Sequence, residues 1–278
     1  GQEIFEEQFR IDYNETRFFP IGITAERALG NLSLGQPQIP TSNFQESRLL
    51  SFCGRVNYAY GDRFLFAATL RADGSSKFAK GNKWGTFPSV SGAWRISDEN
   101  FMEGIRNTVS DLKLRASYGS VGNQAVAGGF YVGYDQVAGG NGYNGQQGYF
   151  PGVADSNLKW ETTTQANLGL DFGLFNRLTG SVDVYDKKTT DLFFQTQIPF
   201  TTGFGVVTKN IGEMSNRGVE LTLSYDVVKT DNWNVNVNAN GAYNKNEVTK
   251  LDGNADFQGT GATRLTVGEQ FGSFSLVR

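Results

Sequence analysis

The residues best suited to chemistry are few. In Leu251–Leu265, LDGNADFQGTGATRL, the alternating Asp252, Asn254 and Asp256 have the oxygen donors with which a calcium loop begins. The same loop type needs glycine for its sharp turn and a bidentate glutamate at its end, and this chain has Phe257 and Thr263 at those positions. The stretch therefore reads as a solvated loop. Gly259 and Gly261 start a GxG with no third glycine and no strand-to-helix context for a phosphate. Adjacent acids such as Glu6 and Glu7 say nothing about the through-space carboxylate separation that glycoside hydrolysis requires. Histidine is absent and Cys53 is the one cysteine, which removes Ser-His and Cys-His nucleophile pairs, His-containing zinc sets and a thiol framework. The sequence predicts no enzyme activity, no metal and no cofactor.

Side chains that line a surface are a different matter, and they must be positioned by strands. The composition, with 35 Gly against 6 Pro and 13% aromatic residues, favours strands and Gly-rich loops. A net charge of -3 gives no general attraction to nucleic acid. In WNVNVNANGAYN, Trp233 to Asn244, Asn234, Asn236, Asn238 and Asn240 share one face of an extended segment, while Trp233, Val235, Val237 and Tyr243 share the other. The same alternation places Leu50, Phe52, Val56, Tyr58 and Tyr60 opposite Arg55 and Asn57; Phe64, Phe66, Ala68 and Leu70 opposite Arg71 and Asp73; Leu112, Leu114, Ala116 and Tyr118 opposite Lys113 and Arg115; and Ala166, Leu168, Leu170 and Phe172 opposite Asn167 and Asp171.

About nine strands follow Ser47, several long enough to cross a bilayer at a tilt, although no run approaches the ~18 apolar residues of a spanning helix. Short turns fall near Gly61, Asn176 and Thr230, with a short capped helix near Asn100 at the same end. Longer loops near Lys80, Gly140, Gly203 and Gly253 fall at the other. Tyr58, Tyr60, Phe64, Phe66, Trp94, Phe172 and Trp233 form an aromatic girdle on the apolar parity near the short turns. These features predict an all-β, transmembrane antiparallel β-barrel, partial, with about nine to ten strands of a larger barrel, long external loops and short periplasmic turns. A soluble carbohydrate-binding β domain and a passive porin-type barrel share the strand pattern and stay open on pattern alone.

Longer words narrow the choice: GRVNYAYGDRFLFAATLRADGSSKFAKGNKWGTFPSVSGAWRIS, DLKLRASYGSVGNQ, NLKWETTTQANLGLDFGLF, RLTGSVDVYDKKTTDLF and NIGEMSNRGVELTL. In this order they resemble the barrel of SusC/RagA-like TonB-dependent outer-membrane transporters. The resemblance implies a barrel of about 22 strands around a plug. It also implies import of an oligosaccharide or peptide substrate across the outer membrane of a Gram-negative bacterium, with a SusD-like lipoprotein as lid and the TonB complex as energy source. Residues 1–278 are expected to be a fragment of that barrel, with the plug domain, its TonB-contacting segment and the C-terminal closing strands absent. The outer face is expected to meet outer-membrane lipid. Arg55, Asn57, Arg71, Asp73, Lys113, Arg115, Asn167 and Asp171 are expected to face the lumen, and Tyr131, Tyr134, Tyr143, Tyr149 and Phe150 to sit in an external loop that stacks on sugar or meets the lid.

Overall fold

The computed structural model describes residues 1–38, 41–126, 134–136, 149–151, 155–199, 201, 206–230, 232–251, 257–258 and 263–274. The strands in chain order are β1 (Gln2–Tyr13), β2 (Thr16–Arg17), β3 (Gln36–Pro37), β4 (Thr41–Tyr60), β5 (Phe64–Ser75), β6 (Trp84–Arg95), β7 (Val109–Asn123), β8 (Tyr134–Gln136), β9 (Tyr149–Pro151), β10 (Glu161–Leu174), β11 (Leu178–Gln197), β12 (Val206–Lys229), β13 (Asn234–Lys250), β14 (Phe257–Gln258), β15 (Thr263–Leu265) and β16 (Ser273–Phe274). The long strands form one nine-stranded sheet in the order β1-β4-β5-β6-β7-β10-β11-β12-β13. Neighbours in this sheet follow chain order, as in an up-and-down barrel wall.

The chain divides into two compact units, Ile4–Leu49 and Gly1–Glu3 with Leu50–Arg278. The smaller contains most of β1, the paired β2 and β3, and a one-turn helix, Ala25–Gly30, whose Thr24 hydroxyl accepts the N–H of Arg27. Sequence pattern does not predict β1: the doublets Ile4-Phe5 and Glu6-Glu7 interrupt its alternation, although Phe5, Phe9, Ile11 and Tyr13 keep one parity. Among the described residues, β4 to β7 and β10 to β13 give eight long strands from Thr41 onward, and β1 brings the sheet to nine.

In the larger unit, two hairpins close through pairs of residues with positive φ. Gly61 and Asp62 link β4 to β5, and Phe175 and Asn176 link β10 to β11. Arg63 N–H donates to Tyr60 C=O at 3.2 Å, and Arg177 N–H to Leu174 C=O at 3.1 Å. Two consecutive left-handed residues give the turn whose twist matches the strands it joins. The connection from β6 to β7 holds two 3-10 helices, Ile96–Asp98 and Asn100–Ile105, neither with a side-chain cap, in place of the capped helix the sequence suggests. The long loop expected near Gly203 is confined between Gln197, where β11 ends, and Val206, where β12 begins.

The register makes the two faces explicit. One rung across β5, β6, β7, β10, β11, β12 and β13 reads Phe66, Gly92, Ala116, Leu168, Val184, Val219 and Tyr243. The adjacent rung, on the opposite face, reads Leu65, Ala93, Arg115, Gly169, Asp183, Glu220 and Ala242. The apolar face is the exposed one: Phe66, Leu168 and Tyr243 are 52%, 53% and 70% accessible, whereas Ser51, Asp73 and Thr189 are buried. A water-soluble sheet arranges its faces the other way round.

Aromatic residues bound the apolar band at both ends. Phe64 stacks on Trp94 near the short turns, as expected. A second belt that the sequence reading missed lies toward the long connections, where Phe52 stacks on Trp84 and where Tyr118 and Tyr243 are exposed. Trp84 and Trp94 are ten residues apart in β6, as are Trp233 and Tyr243 in and before β13. Ten strand residues span about 33 Å, which at a tilt of about 40° gives a band about 25 Å tall, the height of the apolar zone of outer-membrane barrels.

Candidate functional site: the polar wall

The polar face of the larger unit brings together most of the residues marked by sequence. Arg71 forks onto Asp73, with Nε 2.8 Å from both carboxylate oxygens, and its Nη2 donates to Ser51 Oγ at 3.0 Å. Three strands meet in a second cluster. Lys113 Nζ lies 2.7 Å from Asp171, Arg115 donates to Asp171 through Nε and Nη2 at 3.0 and 2.7 Å, and the same Nη2 lies 3.1 Å from Asp183. Two cations and two carboxylates leave this cluster balanced. Its side chains are one-fifth to one-third exposed, so the ion pairs contribute modestly to stability and mainly hold β7, β10 and β11 in register.

Asp183 and Gly169 belong to this cluster, and the sequence reading had not marked either. Gly169 is opposite both Arg115 and Asp183 in the register, so Arg115 must cross β10 above it to reach β11. A Cβ on Gly169 would lie 2.5 Å from Asp183 Oδ1 and 2.7 Å from Arg115 Nη2. The available signal was Asp183 at polar parity in TGSVDVY; the space requirement needs the register as well. Tyr185 repeats the arrangement: it crosses Gly218, in contact through its hydroxyl end, and donates to Asn244 Oδ1 at 3.1 Å.

Arg55 and Asn57 stand apart from these clusters. Arg55 Nε donates to Asn57 Oδ1 at 3.0 Å, and both are exposed. They border a hollow of about 530 Å³ whose lining also includes Ala67, Ser91, Ala93, Arg115, Ser117 and Asn167. Asn167 thus joins the wall through the hollow rather than through an ion pair.

At the short-connection end, Glu99 accepts the indole N–H of Trp94 at 3.0 Å and pairs with Arg63 at 2.8 Å. These contacts, Trp94 first, hold its carboxyl below the ordinary glutamate range against a smaller opposing effect of desolvation. At the other end, Phe78, Phe87 and Trp160 pack with ring centroids 5.3 and 5.5 Å from Trp160, and the Trp160 indole donates to Lys83 C=O at 3.0 Å. Sequence reasoning missed this buried cluster because its members come from three separate connections and strands. Of the loop aromatics, Tyr134 lies in β8 opposite Pro151, and Tyr149 and Phe150 lie in β9 opposite Gln136 and Asp135. Tyr131, Tyr143 and the acidic stretch Asp252, Asn254 and Asp256 lie outside the described residues.

An apolar face turned outward, a polar face dense with cross-strand ion pairs and connections sorted by length define the wall of an outer-membrane β-barrel. The family model described as TonB dependent receptor-like, beta-barrel matches residues 5–273, and the chain belongs to that family. It is 41% identical over 226 residues to the TonB-dependent receptor SusC of Bacteroides thetaiotaomicron, a match covering 78% of this chain and 22% of that protein. It is 38% identical over 273 residues to the TonB-dependent receptor P26 of Formosa agariphila, covering 92% and 27%. A structure of the RagAB peptide importer in its closed-closed state superposes with a TM-score of 0.78 at 29% identity, covering 98% of this chain and 31% of that one. The chain spans about a quarter of the length of the curated relatives it matches.

Proposed function

We propose that this chain supplies part of the barrel wall of an energised outer-membrane importer of glycans or peptides, working with a SusD-like lipoprotein lid and drawing on the TonB complex through a plug. The observation that carries the reading is the inverted sheet, with Leu168 and its rung outward and the Arg115 rung on the other side, in a chain related to SusC and similar to a peptide importer. Arg55, Asn57, Arg71, Asp73, Lys113, Arg115, Asn167 and Asp171 then line the lumen. Tyr131, Tyr134, Tyr143, Tyr149 and Phe150 belong to the external surface, where aromatic rings stack on sugar or meet the lid. No catalytic step is part of this function; the work is passage. The test is solute uptake by cells carrying the complete receptor, with and without a functional TonB complex. Uptake that stops when TonB is removed is expected, and uptake that continues unchanged identifies a passive pore instead.

A further inference from the structure

Two residues beyond Val219 and Tyr243, toward the long connections, the apolar parity turns to charge. Arg217 in β12 is directly opposite Lys245 in β13, and Asp186 in β11 is opposite Arg217 on its other side. The rung continues through Ala166, Tyr118, Val90 and Ala68, so on it the charge is confined to three strands. Both cations are exposed. Arg217 donates to Asp186 Oδ2 through Nε at 3.0 Å, a bond that engages neither Nη, and Lys245 Nζ lies 3.3 Å from Glu247. Lys188, one rung further out, is taken up by Glu213 at 2.7 Å. The two acids come from outside the Arg217–Lys245 pair, one from β11 and the other from the next rung of β13. Like charges directly opposite each other on a sheet are destabilising, so the pair favours an anion that both cations share.

Height on the wall says which anion. Tyr243 belongs to the aromatic belt at that end, and Lys245 follows it by about 7 Å along the strand, which at a tilt of about 40° is about 5 Å along the membrane normal. The headgroup layer on each side of a bilayer is about 5–7 Å thick. We propose that Arg217 and Lys245 bind the phosphate of a lipid in the leaflet at the long-connection end, its acyl chains lying along the exposed Val219, Leu221 and Val237. The Nη donors of Arg217 supply the planar fork that suits phosphate oxygens, and the Lys245 ammonium adds a point charge. Cations this exposed hold a free anion weakly against water. A phosphate tethered by its chains arrives at this height at a high effective concentration, so apolar burial and charge act together. The proposal rests on the apolar face meeting lipid.

The experiment titrates the complete receptor, in detergent micelles, with dioleoyl phosphatidic acid, dioleoyl phosphatidylcholine or inorganic phosphate and counts bound molecules by native mass spectrometry. Phosphatidic acid is expected to bind more tightly than phosphatidylcholine, whose phosphate is masked by choline. Arg217→Gln combined with Lys245→Gln is expected to lower its affinity about tenfold, the low end of what hydrogen bonds to a charged group carry. Arg217→Lys should lose less. Lys187→Gln, one residue from Asp186 but on the opposite face, should leave the affinity unchanged. Heat-modifiable migration on gels verifies that each variant is folded. Equal affinity for the two lipids, no loss in the double variant, an equal loss in Lys187→Gln, or inorganic phosphate binding as well as phosphatidic acid would each overturn the proposal. The photo-crosslinker p-benzoylphenylalanine at Leu168, activated in cells, separates the two levels of inference. Lipid adducts there keep the barrel reading intact whatever the titration reports, and their absence means that the faces themselves are misassigned.

Discussion

Gly169→Ala tests whether the wall depends on a side chain crossing a glycine. In an unencumbered strand the change is favourable by about 0.5–1 kcal/mol, because glycine loses the most backbone freedom on folding. At Gly169 the new methyl would meet Asp183 Oδ1 at 2.5 Å and the Arg115 guanidinium at 2.7 and 2.8 Å. Van der Waals contact begins about 1 Å further out, so Arg115 must lift off and its bond to Asp183 must open. A hydrogen bond to a charged group is worth about 1.5–3 kcal/mol, and the partial exposure of the pair puts the loss toward the low end. The methyl's intrinsic gain offsets part of this, which leaves a net destabilisation of about 1–2 kcal/mol. Gly241→Ala is the matched control, since nothing lies within 4 Å of its Cβ position in β13. Denaturant unfolding of the receptor in detergent, followed by tryptophan fluorescence, gives both values. The cost at Gly169 should largely vanish in an Arg115→Ala background, a coupling that a double-mutant cycle measures directly. If Gly169→Ala is as harmless as Gly241→Ala, or costs as much without Arg115 as with it, the crossing does not hold the strands.

The two faces should differ in tolerance of charge. Leu168→Arg should cost about 2–4 kcal/mol near the midplane and Asn167→Arg much less; equal losses in a liposome refolding assay would reject the alternation. Glu99 makes the short-connection end acid-sensitive. Its folded carboxyl titrates below the unfolded one, so its contribution is complete above the ordinary glutamate range and is lost as pH falls through the lowered folded value. Glu99→Gln should flatten the acid limb of the unfolding midpoint, with Trp94 fluorescence as the local probe; an unchanged pH profile would remove Glu99 from the account.

Face assignment was legible because period two survives in single strands: Leu168 and Asn167 are neighbours in sequence and opposite in environment. The Gly61-Asp62 turn was legible for a similar local reason, the readiness of both residues to adopt positive φ. What the sequence withheld is register. Arg115, Asp171 and Asp183 are separated by 56 and 12 residues, and nothing local says that the three fall on neighbouring rungs. The second aromatic belt was hidden similarly, since Trp84 reads as part of a loop until β6 is seen to begin there. In β1 and in the far half of β11, aromatic and acidic doublets mask strands that pairing with neighbours establishes.

The crossing at Gly169 has counterparts elsewhere in the larger unit, and they give several of its in-strand glycines a role. On the polar face Arg115 passes Gly169 to reach Asp183, and Tyr185 passes Gly218 to reach Asn244. On the apolar face Phe172 lies over Gly180 against Leu223, and Trp84 lies over Gly74 and stacks on Phe52. Each long side chain thereby ties three consecutive strands, whereas an ordinary cross-strand pair ties two. A glycine in a strand forfeits about 0.5–1 kcal/mol of backbone entropy, yet a barrel wall one sheet thick has no second layer to lock its register. Spanning contacts along the sheet supply that lock from within the wall. They leave the polar face open between its long side chains and the apolar face smooth, which a wall braced by bulky residues on every strand could not do.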